Sequence, residues 1–210
     1  MFLSKIRLER GGAGIWENST YSVHQLIWTW FSRGPDDKRK FLYRVDEQQG
    51  GVQILALSDE PPVRLNGWHA ETRVYMPTLR VGDQLAFSLR ANATVMRGGR
   101  RHDVVMDLKH RLHSSQENVP SSADLIQQAL SEWLGARSGP GGFQLVEGSI
   151  RADGYQRIHF FRKGGEIDFH QVDTQGVLRV EDPNKLLPLL YQGIGRAKGF
   201  GCGLFLVRRA

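Results

Sequence analysis

Hydrophobic and polar residues alternate from the first positions of the chain. Phe2, Ser4, Ile6 and Leu8 fall on one side of an extended backbone, and Leu3, Lys5, Arg7 and Glu9 fall on the other. A period of two predicts a half-buried strand. Gly11 to Gly14 predict a turn, and the period then changes. Val23, Leu26, Ile27, Trp30 and Phe31 recur at i, i+3, i+4, i+7 and i+8, the stripe of an amphipathic helix behind the candidate caps Asn18, Ser19 and Thr20. Gly34-Pro35 stops it. Two strand-like runs follow, Phe41 to Val45 and Val52 to Leu57, joined at a Gly50-Gly51 turn. Residues 60–70 fit neither period, Pro61-Pro62 argue against a full helix there, and Arg73 to Met76 predict another short strand.

A similar order begins after Val81-Gly82-Asp83. Leu85, Phe87 and Leu89 mark a strand, a basic and poorly periodic stretch fills 97–120, and Leu125, Ile126, Ala129, Leu130, Trp133 and Leu134 mark a second helix behind Ser121 and Ser122. Gly139-Pro140-Gly141-Gly142 ends that helix. Strand patterns come near 143–150, 155–162 and 166–180, then a helical run from Asp182-Pro183 through Leu186, Leu187, Leu189 and Leu190. Pro183 suits a first turn, whereas Pro188 predicts a shortened or kinked helix. A Gly-rich loop and a last strand, Leu204 to Val207, complete the chain. Two successive βαββαβ orders, 1–78 and 84–210, predict an α+β protein of tandem ferredoxin-like domains, 1–80 and 81–210. That expectation rests on element order alone.

Composition adds limits. The chain has 210 residues, 40% hydrophobic and 24% charged, which excludes disordered and collagen-like classes. Cys202 is the only cysteine, so no internal disulfide can form and no zinc-site spacing exists. A reducing, cytoplasmic setting is expected, with no signal-peptide block and no apolar run of the roughly 20 residues that span a membrane.

Charge is more informative. Lys and Arg number 28 against 22 Asp and Glu, a net +6. Residues 90–113 carry Arg90, Arg97, Arg100, Arg101, Lys109 and Arg111 against Asp103 and Asp107, a local +4. Residues 192–210 carry Arg196, Lys198, Arg208 and Arg209 without an acid, another +4, so the remaining chain is net −2. Concentrated cations on a near-neutral body point to a polyanionic partner, since clustered charge releases the counterions condensed on phosphates. A solubilising surface is the plainer reading.

Two constellations could carry chemistry. Tyr21 and His24 are three apart on the first helix, at the edge of its apolar stripe, where side chains line a cleft. Imidazole exchanges protons near neutral pH, and a neighbouring phenol can tune it; an ordinary boundary His with a packing Tyr gives the same spacing. Gly193 to Gly203 holds five glycines in eleven residues with Arg196 and Lys198. The order helix, loop, strand excludes dinucleotide-binding and P-loop readings, which need strand, loop, helix. Backbone N–H groups at Gly193 and Gly195 could still approach a phosphate, or the loop could be only a tight connection. No His-x-x-x-His, paired-carboxylate or Gly-x-Ser-x-Gly element supports metal hydrolysis or serine-hydrolase chemistry. His102, His110 and His113 read as solvated surface.

Taken together these stretches resemble the CasE-type CRISPR-associated endoribonucleases, the repeat-processing subunits of subtype I-E Cascade complexes. The resemblance runs over nearly the whole chain. It is carried by Met1-Phe2-Leu3-Ser4-Lys5, Tyr21-x-x-His24, Phe87-Ser88-Leu89-Arg90-Ala91-Asn92 and Gly193-Ile194-Gly195-x-Ala197-Lys198-x-x-Gly201-Cys202-Gly203-Leu204, of which the last two are the most specific. Ala93 and Arg196 stand where the family often has proline.

The resemblance implies tandem ferredoxin-like domains and metal-independent cleavage of CRISPR repeat RNA at the base of its stem-loop, with no cofactor. It implies attack by a ribose 2′-OH, a 2′,3′-cyclic phosphate and a 5′-OH end. His24 would be the general acid or base, and Tyr21 would orient the phosphate or share proton transfer. Arg157, Arg162 and Lys163, around a Gly164-Gly165 turn, match a hairpin that engages the RNA stem. Arg90, Asn92, Arg97, Arg100, Arg101, Gly193, Gly195, Arg196 and Lys198 are the other candidate RNA-binding residues. The implied partners are crRNA, retained after cleavage, and the other Cascade subunits. Three further classes stay open: a non-catalytic RNA-binding subunit with a structural His24, a metal-dependent nuclease, and an oxidoreductase using the Gly-rich loop.

Overall fold

The structure is a computed structural model, and it describes residues 1–8, 19–32, 34, 37–48, 51–162 and 164–210, with the backbone alone at Gln48 and Arg162. The predicted turn at Gly11 to Gly14, the cap Asn18, Pro35, Gly50 and Lys163 lie outside the described residues.

The first half holds β1 (Phe2–Leu8), α1 (Thr20–Phe31), β2 (Phe41–Gln48), β3 (Gly51–Ser58) and β4 (Trp68–Val74). Its sheet is antiparallel in the order β2-β3-β1-β4. The alternation of β1 resolves as expected, with Ser4 and Ile6 fully buried. Ser19 caps α1, its hydroxyl accepting from the Ser22 N–H at 3.1 Å, and the stripe Val23, Ile27 and Trp30 packs onto Ile6, Phe41, Tyr43 and Ile54. Trp30 meets Trp68 edge-on, with ring centroids 5.2 Å apart.

No helix separates β3 from β4 among the described residues. Pro61 and Pro62 have no N–H to donate, and the segment instead lies along the end of α1, where the Val63 N–H donates to the Trp30 carbonyl at 2.9 Å. β4 starts at Trp68, earlier than the sequence predicts, because buried Trp68 anchors it.

The second half holds β5 (Gln84–Ala91), β6 (Thr94–Arg97), β7 (Arg100–Asp103), α2 (Val104–Ser114), α3 (Ser122–Ser138), β8 (Phe143–Leu145), β9 (Arg151–Arg162), β10 (Gly165–Val180), α4 (Pro183–Gln192) and β11 (Phe205–Arg209). The sheet order is β11-β5-β10-β8, and β9 also pairs with β10. With β6, β7 and β9 set aside and the remaining four strands numbered within each half, the two sheets share one order: 2-3-1-4 and, read from the other edge, 4-1-3-2. The halves are ferredoxin-like units, the first without its second helix and the second with β6, β7 and α2 inserted.

That insertion corrects the reading of 97–120 as aperiodic. Asp103 caps α2, accepting from the Val105 and Met106 N–H groups, and its inward stripe of Val104, Val105, Leu108 and half-buried Leu112 is short and lies among cations and histidines that mask it. Pro188 does not break α4. It is exposed, and the carbonyl it leaves without a donor belongs to exposed Asn184 in the first turn.

The two sheets meet through a small shared core of Leu42, Leu57 and Leu204, flanked by Tyr75 and Tyr191. Gly193 ends α4 with φ +72°, and a Cβ there would collide with the Gly203 carbonyl and, at 2.7 Å, with Leu42 Cδ1 from β2. The residue is therefore tied to both sheets at once. Gly193→Ala is expected to destabilise the protein by about 2 kcal/mol and to lower its thermal midpoint by several degrees in calorimetry. An unchanged midpoint would mean that the sheets do not close on this residue.

Candidate active site

α1 presents Tyr21 and His24 toward the second half. His24 Nδ1 lies 2.6 Å from the Gly199 carbonyl oxygen. A carbonyl only accepts, so Nδ1 carries the hydrogen and donates it, and proton exchange falls to Nε2. The Tyr43 hydroxyl donates to the same oxygen at 2.8 Å. Burial, with the Cys202 thiol beside it, pushes the Tyr43 phenol far above the ordinary tyrosine range, so it remains a donor at neutral pH.

Gly199 sits in a single 3-10 turn, Lys198–Phe200, flanked by left-handed Ala197 (φ 50°) and Gly201 (φ 84°). Gly201 takes up that conformation without the penalty of a Cβ, whereas Ala197 adopts it with a side chain. Phe200 leaves the same turn to cover the His24 ring at a centroid distance of 5.3 Å, and Phe160 on β9 and Phe169 on β10 pack on Phe200 in turn. Tyr21 approaches Phe160 at 6.4 Å. The helix, the Gly-rich loop and the β9–β10 hairpin thus converge on one aromatic cluster, with Tyr21 on its hairpin side and His24 on its loop side.

The remaining candidates divide by what they touch. Arg90 donates to Asp173 through two bonds of 2.8 Å and to the Val45 carbonyl at 2.7 Å, and it lies 3.7 Å from Asp46. Burial opposes its charge, but the Asp173 hydrogen bonds and the two carboxylates outweigh that and raise its pKa. Asn92 is buried, gives its amide to the His170 carbonyl at 2.7 Å, and pairs by backbone with Arg196. Lys198 donates to the Gln192 and Gly193 carbonyls at 2.7 and 2.9 Å, closing the end of α4. Burial first, and Arg39 second, lower its pKa. Arg157 pairs with Asp168 along the hairpin, and Arg97 pairs with Asp107.

Arg100, Arg101 and Arg196 are exposed and have no carboxylate partner among the described residues. The side chain of Arg162 and all of Lys163 lie outside the description. Gly195 approaches the Asn92 carbonyl so closely that a Cβ would stand 3.1 Å from it. Among the described residues, no group of three His, Cys, Asp or Glu is placed to hold a metal ion, and no helix is long and apolar enough to cross a membrane.

A family model described as CRISPR associated protein matches residues 1–209. The chain belongs to that family. Within it, the chain is 30% identical to the Cascade subunit CasE of Escherichia coli K12 across 97% of both chains. It is 26% identical to the CRISPR-associated endoribonuclease Cse3 of Thermus thermophilus, across 89% of each. Among solved structures, Cse3 bound to a 19-nucleotide RNA superimposes with a TM-score of 0.76 at 23% identity, over 99% of this chain and 100% of that one. The CRISPR-associated protein Cas6e from E. coli K-12 superimposes with a TM-score of 0.68 at 26% identity, over the full length of both.

Sequence reasoning missed Tyr43, the Gly199 carbonyl and the Phe160–Phe200 contact. Tyr43 occupies an inward position of β2 and reads as core, while a carbonyl leaves no residue-type signal at all. Asp173, the partner of Arg90, lies 83 residues away. The lone cysteine has no part in proton exchange near neutrality, because burial pushes the Cys202 thiol up to about 12. Arg90→Gln is expected to cost about 1–3 kcal/mol in urea unfolding, since it strips charged partners from Asp46 and Asp173. Arg100→Gln is expected to leave the unfolding midpoint where it is, and the reverse ranking would contradict the division drawn between these arginines.

Proposed function

We propose that the chain is an endoribonuclease that cleaves CRISPR repeat RNA at the base of its stem-loop and keeps the product as crRNA within a cytoplasmic Cascade complex. The observation that carries this reading is the anchored imidazole: the Gly199 carbonyl accepts from His24 Nδ1 and so orients the ring, which makes Nε2 the nitrogen that takes up or gives a proton. Family membership and the similarity to CasE and Cse3 support it.

The nucleophile is the ribose 2′-OH that precedes the scissile phosphate. It attacks phosphorus, the bond to the 5′-oxygen breaks, and the products are a 2′,3′-cyclic phosphate and a 5′-OH. One proton leaves the 2′-OH and one joins the departing 5′-oxygen. His24 carries at least one of these transfers, and Tyr21, one turn earlier on the same face, orients the phosphate. Because the nucleophile belongs to the substrate, alignment and proton transfer account for the reaction without a metal-bound water. The β9–β10 hairpin, with Arg157, Arg162 and Lys163, tracks the phosphates of the stem, and Arg100, Arg101 and Arg196 supply further charge.

His24→Ala is expected to lower single-turnover cleavage of the repeat RNA by about 10²–10⁴-fold while stem-loop affinity is retained. A 2′-deoxy at the nucleotide before the cut abolishes cleavage, excess EDTA leaves it intact, and end mapping finds the cyclic phosphate. Unchanged cleavage by His24→Ala would remove the proposed role and favour a structural histidine. Stem-loop affinity is also expected to fall about a hundredfold between 50 and 200 mM KCl if about four phosphates are neutralised, measured by fluorescence anisotropy. A flat salt response would contradict docking by charge.

A further inference from the structure

The two cationic stretches of the sequence come together around one cavity of about 570 Å³, walled by the β6–β7 hairpin, α2, α3 and the Gly-rich loop. Five arginines line it, at 97, 101, 111, 137 and 196, against the carboxylates of Asp107 and Glu132. Both acids are already neutralised. Arg97 and Arg111 hold Asp107 at 2.8 and 3.2 Å, and Arg111 also holds Glu132 at 3.1 Å. Arg101, Arg137 and Arg196 therefore face the cavity with no carboxylate partner among the described residues.

Arg137 is the informative one. Its guanidinium lies 4.0 Å over the Trp133 ring and donates to the Trp133 carbonyl at 2.7 Å. Trp133 is itself fixed, buried and donating through its indole N–H to the Thr94 carbonyl at 3.2 Å. Burial lowers the Arg137 pKa, so its charge is desolvated without a counter-ion. Its two partners, a ring and a carbonyl, carry no formal charge, so the guanidinium adds to the positive field of the cavity. The cavity thus offers a flat, rigid guanidinium stacked on an aromatic ring, a floor that includes buried Val104 and Ala129, and two further cations at the mouth. A planar base stacks on such a platform and its phosphate pairs with arginine, and the volume suits one nucleotide. Arg196 is also three residues from Gly199, the carbonyl that orients His24, so the cavity and the candidate active site share one loop.

We infer that this cavity holds one unpaired nucleotide of the strand flanking the stem-loop, its base on the Arg137–Trp133 stack and its phosphate between Arg101 and Arg196. The inference rests on the cleavage reading above and extends it from the stem to its single-stranded flank.

The test uses the full chain and repeat RNAs blocked by a 2′-deoxy at the cut: the stem-loop alone, and the stem-loop with four unpaired nucleotides added at its 5′ or its 3′ end. Fluorescence anisotropy is expected to give about tenfold tighter binding for one extended RNA. Arg137→Gln abolishes that gain and leaves the bare stem-loop affinity unchanged. Arg137→Lys, which keeps the charge and loses the planar stack, abolishes it too. A 4-thiouridine in the extension crosslinks to the segment containing Trp133 and Arg137, a readout that needs no variant. No gain from either extension, or a gain that survives both variants, overturns the inference while the cleavage reading stands. A glutamate-rich peptide that binds wild type and not Arg137→Gln, with no gain from RNA extension, overturns it in favour of protein docking. Failure to bind even the bare stem-loop overturns the cleavage reading and this inference with it.

Discussion

The carbonyl oxygen of Gly199 accepts from His24 Nδ1 and from the Tyr43 phenol, and much of the architecture serves to keep that oxygen where both can reach it. α1 brings His24, the inward face of β2 brings Tyr43, and the loop that carries Gly199 belongs to the other half of the chain. A backbone carbonyl suits this task, since it cannot titrate and can hold an imidazole in one tautomer. Lys198 fixes the loop from the far side by closing the end of α4, and the glycines give it the positive φ values that a tight 3-10 turn in that space requires.

The same requirement explains why the halves are joined by both apolar and ionic contacts. The shared core of Leu42, Leu57 and Leu204 supplies burial, and the Arg90 network crosses from β5 to β2 and β10. A shift of one sheet against the other would carry Gly199 away from His24. Arg90 and Asn92, which charge and motif present as RNA contacts, are held in place by protein groups. Of the candidate cations, this leaves Arg100 and Arg101 on β7 and Arg196 in the Gly-rich loop, all exposed and without acidic partners among the described residues.

Conserving one strand order in both halves while changing the helices divides the labour between them. Among the described residues the first unit lacks a second helix, and α1 carries Tyr21 and His24. The second unit gains the β6, β7 and α2 insertion and the long β9–β10 hairpin, the two features that flank the Gly-rich loop with arginines and aromatic rings. The aromatic cluster around Phe200 makes the hairpin part of the same site, since Phe160 and Phe169 pack there at 5.3 and 6.0 Å.

Local periodicity determined much of the plan: the alternation of β1, the stripe of α1 with its Ser19 cap, the second helix behind Ser121, and the glycine-dense loop. These features were legible because they depend on neighbours a few residues apart. α2 was not, because its short inward stripe is scattered among cations and histidines, and the start of β4 was set by the burial of Trp68 against Trp30. Tyr21 and His24 were legible as a pair. What fixes His24 was not, because its partner is a backbone atom 175 positions away. The sequence likewise displayed two cationic stretches, but only the folded chain decided which cations are paired, since Arg90 meets Asp173 and Arg97 meets Asp107 through contacts that no local pattern encodes. Residue type and spacing determine elements and candidate chemistry, while the pairing of charges and the orientation of the imidazole are set by long-range contacts that exist only once the two sheets have closed.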